Sequence, residues 1–270
     1  MWGIVPAAGI GSRIQPLAFS KELLPVGSRL DNGHERPCAV SEYLIERMIH
    51  GGADKICFVI SPGKSDIMEY YGASYGSASI AYVVQPQASG LCDAIFRAAP
   101  LIPPHEEAIV GLPDTVWFPE KALAELPASV LSFLLFPVEN PDVFDAVVLD
   151  EGNQVLEIQV KQKNPATNWI WGAFKMPGHI LEELRNLWLL RGRKDEYFGT
   201  LVNDYIRRGG KAFGVMAGSS YVDVGTLHGY RSAMGLLSAA EKQEGVTGAR
   251  VGLGWPEGRA AQGFHEVNRE

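Results

Sequence analysis

Apolar and polar positions alternate between two periods along the first half of the chain, and this pattern predicts strands that alternate with helices. Continuous apolar runs predict buried strands at residues 3–5, 55–61, 80–84 and 108–112. Apolar residues at helical spacing predict helices over residues 37–48, 67–71 and 91–98. Such alternation implies right-handed crossovers. We therefore predict a mostly parallel, Rossmann-like α/β sheet with helices on both faces, in three layers.

After residue 114 the pattern changes, and short strands separated by Gly or Asn turns predict a hairpin-rich subregion. Strands are expected at 129–137, 146–149, 155–161, 169–176 and 211–217. Helices are expected at 177–190, 201–208 and 226–242. Because no repeat or long linker interrupts this pattern, we predict one domain over residues 1–243. The Gly-rich, polar tail at 244–270 is either folded back on the domain or partly disordered.

Composition narrows the partners of the protein. The 270-residue chain is 46% apolar and carries a formal net charge of −7, so it lacks the basic footprint of a nucleic-acid-binding protein. Its cysteines, Cys38, Cys57 and Cys92, fit neither a disulfide framework nor a zinc site, which favours a reducing, cytoplasmic compartment. There is no signal-peptide pattern and no apolar run long enough for a bilayer, so no membrane association is expected.

The segment after the first strand predicts a triphosphate cradle. It combines small residues with two cations: Ala8, Gly9, Gly11, Ser12, Arg13 and Lys21. Small residues allow a tight turn whose successive backbone N–H groups form a concave anion site. The forked guanidinium and the compact ammonium then add fixed positive charge.

Other phosphate motifs fit this segment poorly, and an ordinary strand-to-helix turn with a solvated arginine is the simplest alternative. The third glycine of a dinucleotide fingerprint would fall at Ile14, and no Gly-Lys followed by Ser or Thr occurs here.

The full spacing, with Pro16 and Leu23-Leu24-Pro25, resembles the signature of the sugar-1-phosphate nucleotidyltransferases. The chain looks most like the glucose-1-phosphate thymidylyltransferases and the bacterial UTP–glucose-1-phosphate uridylyltransferases. This resemblance implies a fold of the nucleotide-diphospho-sugar transferase type.

Two widely separated aspartates, Asp114 and Asp223, are candidate metal ligands. Each alone is more simply an N-cap or turn residue. Together they offer two oxygen ligands for Mg²⁺, which commonly takes one or two carboxylates plus phosphate oxygens and water. The resemblance agrees, because Asp223 stands in a matching D-x-G-T segment, although Pro113 replaces the family glycine before Asp114.

Gln85 and Gly90 are the candidate contacts to a nucleotide base. A glutamine side chain offers both a donor and an acceptor, which suits the O4/N3–H edge of uracil or thymine. A polar turn with a helix cap is the alternative for Gln85 alone. The resemblance implies that both residues contact the base, since Q-P-x-x-x-G-L matches the base-reading segment of the family.

The acceptor residues are assigned by resemblance only. Lys161 matches the lysine that binds the sugar phosphate, and Lys163 is the competing candidate. Val160 replaces a glutamate that binds sugar hydroxyls in the family. Trp171-Gly172 matches a glycine that lets the sugar approach the backbone, although Trp171 can equally be a packing residue.

The resemblance implies that a pyrimidine NTP, dTTP or UTP, reacts with a sugar 1-phosphate, with glucose 1-phosphate the expected acceptor, to give an NDP-sugar and pyrophosphate. Arg13, Lys21 and Lys161 would be the catalytic cations, with Mg²⁺ as cofactor, in a homo-oligomer. Two alternatives stay open. One is a transferase of the same fold with a different phosphate or phosphonate acceptor, and the other is a non-catalytic nucleotide-binding regulatory module.

Overall fold

The computed structural model describes residues 1–31, 33–243 and 250–251. Its α-helices are α1 (Val40–His50), α2 (Ser65–Tyr71), α3 (Gly90–Ala98), α4 (Gly178–Leu190), α5 (Phe198–Arg207) and α6 (Leu227–Gln243). Its strands are β1 (Trp2–Pro6), β2 (Pro25–Asp31), β3 (His34–Ala39), β4 (Lys55–Ile60), β5 (Ser74–Tyr75), β6 (Ala78–Val84), β7 (Glu107–Gly111), β8 (Thr115–Phe118), β9 (Leu131–Pro137), β10 (Asp145–Leu149), β11 (Val155–Val160), β12 (Trp169–Pro177), β13 (Ala212–Val215), β14 (Ser220–Asp223) and β15 (Arg250–Val251).

The centre of the molecule is a sheet of strand order β11-β10-β12-β7-β1-β4-β6-β5. Strands β7, β1, β4 and β6 run parallel, and helices connect them. Side chains from the two sheet faces form separate apolar cores, one including Ile4 and the other including Val5. Alternating residues of β1 thus face opposite helical layers, as the pleat requires. The three-layer, mostly parallel α/β fold is confirmed.

The second half of the chain adds antiparallel strands to this sheet. β12 pairs with β7 and β9, and it also meets β10, which forms a hairpin with β11. In that hairpin Asp145 lies directly opposite Val160. The predicted hairpin-rich subregion is therefore present.

The start of α1 differs from the prediction. The helix begins at Val40, not at Pro37, because Pro37 lies in β3, which pairs with β2 in a hairpin that the sequence pattern did not indicate. The Glu42 carboxylate accepts a hydrogen bond from the Ala39 N–H and so closes the first turn. Of the C-terminal tail, only β15 lies within the described residues, and it pairs with β2.

A second small sheet, β8 with β14, brings distant parts of the chain together. Thr115 pairs with Asp223, and the Val224 N–H donates to the Asp114 carbonyl at 2.8 Å. This register positions the segments that carry both candidate metal ligands side by side. Through the described ranges, no helix combines the length and the apolarity needed to cross a bilayer.

Candidate active site

The phosphate loop follows β1, between the ends of β4 and β7 at the centre of the sheet. The Ile14 N–H donates to the Gly11 carbonyl at 3.1 Å, which closes a tight turn. Gly11 has φ +67°, and a Cβ there would lie 2.6 Å from Cδ of Lys21. Both the backbone conformation and the closeness of Lys21 therefore require glycine. Ala8 is buried beneath the loop, whereas Gly9 and Ser12 are exposed.

A buried ion pair holds the loop from below. The Lys64 ammonium donates to the Ala7 carbonyl at 2.6 Å and to both Glu22 oxygens at 2.8 and 2.7 Å. Glu22 is fully buried and Lys64 nearly so. Burial raises the pKa of Glu22 and lowers that of Lys64, and the attraction within the pair opposes both shifts. Nothing in the sequence marked Lys64 except its place in a glycine-containing turn after β4.

Each cation of the loop already contacts one of the candidate metal ligands. Lys21 Nζ lies 2.5 Å from Asp114 Oδ2, and Arg13 Nη2 lies 3.1 Å from Asp223 Oδ2. Burial disfavours charge on both Lys21 and Asp114, but their mutual attraction outweighs it, so the pKa of Lys21 is raised and that of Asp114 is lowered. Both groups are therefore charged at neutral pH.

Asp114 and Asp223, the candidate metal ligands, lie close together beside Gly225. The Gly225 N–H donates to Asp223 Oδ1 at 2.7 Å. A Cβ built on Gly225 would lie 2.8 Å from that oxygen and 3.4 Å from Asp114 Oδ2, so both carboxylates border the same small residue. In the described part of the chain no group of three or more acidic, His or Cys side chains is arranged for a metal. Two carboxylates nevertheless fit Mg²⁺, which takes its other ligands from phosphate and water.

A cavity of about 300 Å³ opens beside these ion pairs. At its phosphate-loop end lie the carboxylates and a cation: Arg13, Asp114 and Asp223. At its ring-lined end lie aromatic and charged residues from several elements: Phe144, Asp145, Lys161, Trp171 and Tyr197. The remaining walls come from Gly90, Leu91, Leu112, Thr115, Val143, Glu196 and Tyr221.

Gln85 and Gly90 occupy different positions relative to the cavity. Gly90 lines the cavity and has φ +85°. A Cβ added to Gly90 would lie only 3.0 Å from Cα of Glu196. Gln85 is buried behind Gly90 and does not line the cavity. Its amide nitrogen donates to Asp93 at 2.8 Å and to the Gly90 carbonyl at 3.2 Å. The Glu196 carbonyl also accepts from the Leu91 N–H, which connects this turn to the ring-lined end.

Lys161, rather than Lys163, lines the cavity. It has φ +43° immediately after β11, and its ammonium lies 4.7 Å from the ring centre of Tyr197. Trp171 also lines the cavity, although it is 7% exposed and packs against Phe133 and Phe174.

Gly172 lies outside the cavity wall. A Cβ at this position would meet Phe136 at 2.6 Å and Tyr221 at 2.7 Å. The glycine therefore makes room for Phe136 and for Tyr221, which itself lines the cavity.

Several residues that line the cavity were not indicated by the sequence: Phe144, Asp145, Glu196, Tyr197 and Tyr221. They come from a strand start, a loop and a small sheet that lie far apart in the chain, and none stands in a motif. Only their three-dimensional arrangement reveals them.

Comparisons with known proteins agree with this geometry. Residues 2–239 match the family model described as nucleotidyl transferase. Glucose-1-phosphate thymidylyltransferase of Neisseria meningitidis is 22% identical over 89% of this chain and 84% of its own length. Bifunctional protein GlmU of Methanocaldococcus jannaschii is 26% identical over 67% of this chain, which spans only 41% of that relative.

Among solved structures, the UTP-bound UGPase of Acinetobacter baumannii superposes with a TM-score of 0.70 at 19% identity, covering 89% of this chain and 93% of that one. At this identity the match supports the fold. The family match extends over most of the sequence, from β1 into α6, and includes the phosphate loop and both aspartates. The resemblance is confirmed, and the chain belongs to the nucleotidyl transferase family.

Proposed function

We propose that this protein transfers the nucleotidyl group of a pyrimidine NTP, dTTP or UTP, to a sugar 1-phosphate, with glucose 1-phosphate the expected acceptor. The products are an NDP-sugar and pyrophosphate. One observation carries the proposal: two cations of a glycine-containing loop, Arg13 and Lys21, contact two carboxylates at the mouth of a cavity large enough for a small ligand.

The proposed reaction needs alignment and charge stabilisation more than proton transfer. An oxygen of the acceptor phosphate attacks the α-phosphorus of the NTP; that new O–P bond forms as the bond to the β-phosphate oxygen breaks and pyrophosphate leaves. The nucleophile is already anionic at neutral pH, so no general base is required. Arg13 and Lys21 lie where they can stabilise charge on the α-phosphate and on the departing pyrophosphate.

Asp114 and Asp223 are the residues that would hold Mg²⁺, since they are hard oxygen ligands that border a common point. When bound, the ion supplies Lewis-acid polarisation and neutralises phosphate charge. In its absence Lys21 and Arg13 neutralise the two carboxylates. We therefore expect the phosphates and the carboxylates to compete for these cations as the nucleotide binds.

The base would lie beside Gly90, with Gln85 as the reading side chain. Because Asp93 can only accept, it fixes the Gln85 amide with its nitrogen toward Asp93. Arg97 in turn holds Asp93 at 2.6 Å. The carbonyl oxygen of Gln85 is then the atom oriented to accept a hydrogen bond from N3–H of uracil or thymine, a donor that adenine lacks at N1.

At the ring-lined end, Lys161 would bind the acceptor phosphate, and Trp171 would form the wall against which the sugar packs. Gly172 would support this wall from behind. A different phosphate or phosphonate acceptor is the second candidate. It is favoured by Val160, which offers no hydrogen bond where relatives of the resembled type have a glutamate. The ion-paired Arg13 and Lys21 argue against a purely regulatory module.

The test is a pyrophosphate-release screen of the full chain with Mg²⁺, four NTPs and a panel of acceptors. We expect release with UTP or dTTP and glucose 1-phosphate, and an NDP-sugar of the corresponding mass. A preference for ATP would overturn the assignment of Gln85 as the acceptor of an N–H of the base, and a preference for GTP would overturn the choice of a pyrimidine. Release with a phosphonate alone would select the second candidate. Nucleotide binding without release would select the regulatory module.

We also propose that the enzyme acts as a cytoplasmic homo-oligomer, as the family resemblance implies. Light scattering after size-exclusion chromatography tests the oligomeric part of this proposal. A particle of about 29 kDa, the mass of one chain, would contradict it.

A further inference from the structure

Asp145 is the carboxylate of the ring-lined end. It is the first residue of β10 and lies directly opposite Val160, which precedes Lys161. Directly opposed residues of an antiparallel pair project to the same face of the sheet. Only Asp145 of this pair lines the cavity. Val160 instead packs against Gly199: a Cβ added to Gly199 would lie 2.8 Å from Cγ2 of Val160.

The Asp145 carboxyl has no cation within ion-pair distance in the described part of the chain, unlike Asp114 and Asp223. Its Oδ1 is shielded from solvent and has no hydrogen bond of ordinary geometry there, although the Trp171 indole N–H and the Lys161 backbone N–H face the carboxyl. Burial raises its pKa, and the Trp171 indole and the Lys161 ammonium offset part of that rise. A carboxylate with so few internal partners is costly to keep ionised, and a ligand donor that reaches its other oxygen, Oδ2, from the cavity would stabilise it.

The surroundings indicate where that donor lies on the ligand. Rings of Phe144, Trp171 and Tyr197 share this end of the cavity, and Lys161 reaches over the Tyr197 ring. Apolar walls bury the body of a ligand, while a few placed polar groups determine its identity and orientation. The Lys161 ammonium can bind an anionic group of a ligand. Asp145 is then the acceptor for a neutral or cationic hydrogen-bond donor on the same ligand.

We propose that Asp145 determines acceptor specificity: its carboxylate accepts a hydrogen bond from a hydroxyl or ammonium group on the ring of the sugar 1-phosphate whose phosphate contacts Lys161. This inference rests on the proposed function and deepens it. The acceptor class it names is a sugar 1-phosphate with a free donor on its ring, a neutral hexose or an amino sugar.

The experiment measures kcat and KM for glucose 1-phosphate, its single-deoxy analogues and glucosamine 1-phosphate. It uses the wild-type full chain with Asp145→Ala and Asp145→Asn, the second being nearly isosteric in case the first folds poorly. The matched control is Asp142→Asn, since Asp142 is exposed, lies three residues away and does not line the cavity.

We expect one deoxy analogue, or glucose 1-phosphate relative to glucosamine 1-phosphate, to lose roughly 10- to 100-fold in kcat/KM with the wild type, the range for a hydrogen bond to a charged group. The same change of substrate should cost the Asp145→Ala variant less than about threefold. Loss with a deoxy analogue identifies a hydroxyl donor, and preference for glucosamine 1-phosphate identifies an ammonium. The effect should fall on KM for the acceptor, with KM for the NTP unchanged.

Equal discrimination by the wild type and both Asp145 variants would overturn the inference while leaving the proposed function intact. So would a uniform loss with every acceptor accompanied by a raised KM for the NTP, which indicates a structural role. Failure of the wild type itself with every sugar 1-phosphate would overturn both, and the wild-type assay alone distinguishes that case.

Discussion

At the phosphate-loop end of the cavity, Asp114 and Asp223 each contact a cation. At the ring-lined end, Asp145 forms no ion pair with any of the described residues, and Lys161 lies over the ring of Tyr197. The first end is neutralised internally before any ligand binds, and its groups are charged and held in place. At the second end, Asp145 and Lys161 lie among aromatic rings, and a ligand would supply a hydrogen-bond donor for Asp145 and an anion for Lys161. The difference suggests that nucleotide binding rests on a rigid, preformed cradle and that the choice of acceptor rests on a few side chains around it.

The largest effect should come from breaking the support of the preformed end. Replacing Lys64 by Met removes the ion-pair partner of the buried Glu22, so the free energy of unfolding should fall by about 3–5 kcal/mol. Urea denaturation of the variant and the wild type measures this change. The double replacement of Lys64 by Met and Glu22 by Leu removes the orphaned charge and should recover most of the loss. A single variant as stable as the wild type would show that the pair does not hold the loop.

Removing a candidate metal ligand from the same end should reduce turnover strongly with less effect on the fold. With Asp223→Asn we expect kcat to fall at least about 10²-fold, because charge stabilisation of the reacting phosphates is lost. Pyrophosphate release at saturating substrates measures it, and thermal unfolding checks the fold. Glu139→Gln, an exposed carboxylate outside the cavity, is the control. Full activity of Asp223→Asn would reject this carboxylate as a ligand of the metal.

The loop itself can be tested with two glycines only two residues apart. Gly11→Ala places a Cβ at positive φ and against Lys21, so we expect a loss of about 1–2 kcal/mol in stability and a raised KM for the NTP. Gly9→Ala is the matched control, because Gly9 has no positive φ and nothing within 4 Å of a built Cβ. Equal effects of the two replacements would contradict a specific role for the Gly11 conformation.

The same contrast between the two ends explains how much the sequence could predict. The phosphate loop is one contiguous segment after a buried strand, so its small residues and both cations were visible as a pattern. The convergence of Asp114 and Asp223 was expected from ligand chemistry, but the β8–β14 pairing that produces it was not, since these strands have four residues each and lie about a hundred residues apart.

The ring-lined end could not be predicted in the same way. Asp145 gains its meaning from standing opposite Val160 in a hairpin, and Tyr197 from lying beneath Lys161. Both are long-range relations between residues that belong to no local motif. Pro37 shows the reverse error, in which a good local signal for a helix start was overridden by pairing of β3 with β2.

The smallest expected effect is on stability. Replacing a carboxylate at one end of the cavity should change the free energy of unfolding with a pH dependence opposite in sign to that at the other end. Burial raises the pKa of Asp145 in the folded protein above its value in the unfolded chain. The folded state is therefore most stable below the unfolded-state pKa, and it loses stability as the pH rises through the folded-state pKa and Asp145 ionises. Asp145→Asn should therefore gain stability over the wild type at neutral pH, and the gain should vanish in acid.

The pKa of Asp114 is instead lowered in the folded protein, because the attraction of Lys21 outweighs burial. The charge of Asp114 therefore contributes stability above the unfolded-state pKa, and this stability is lost as the pH falls through the folded-state pKa. Asp114→Asn should thus lose stability at neutral pH, with a deficit that shrinks in acid. Denaturant unfolding of both variants from neutral to acidic pH measures the two differences. Differences of the same sign would mean that Asp145, like Asp114, is already stabilised inside the protein, and that its carboxylate does not depend on the acceptor for a partner.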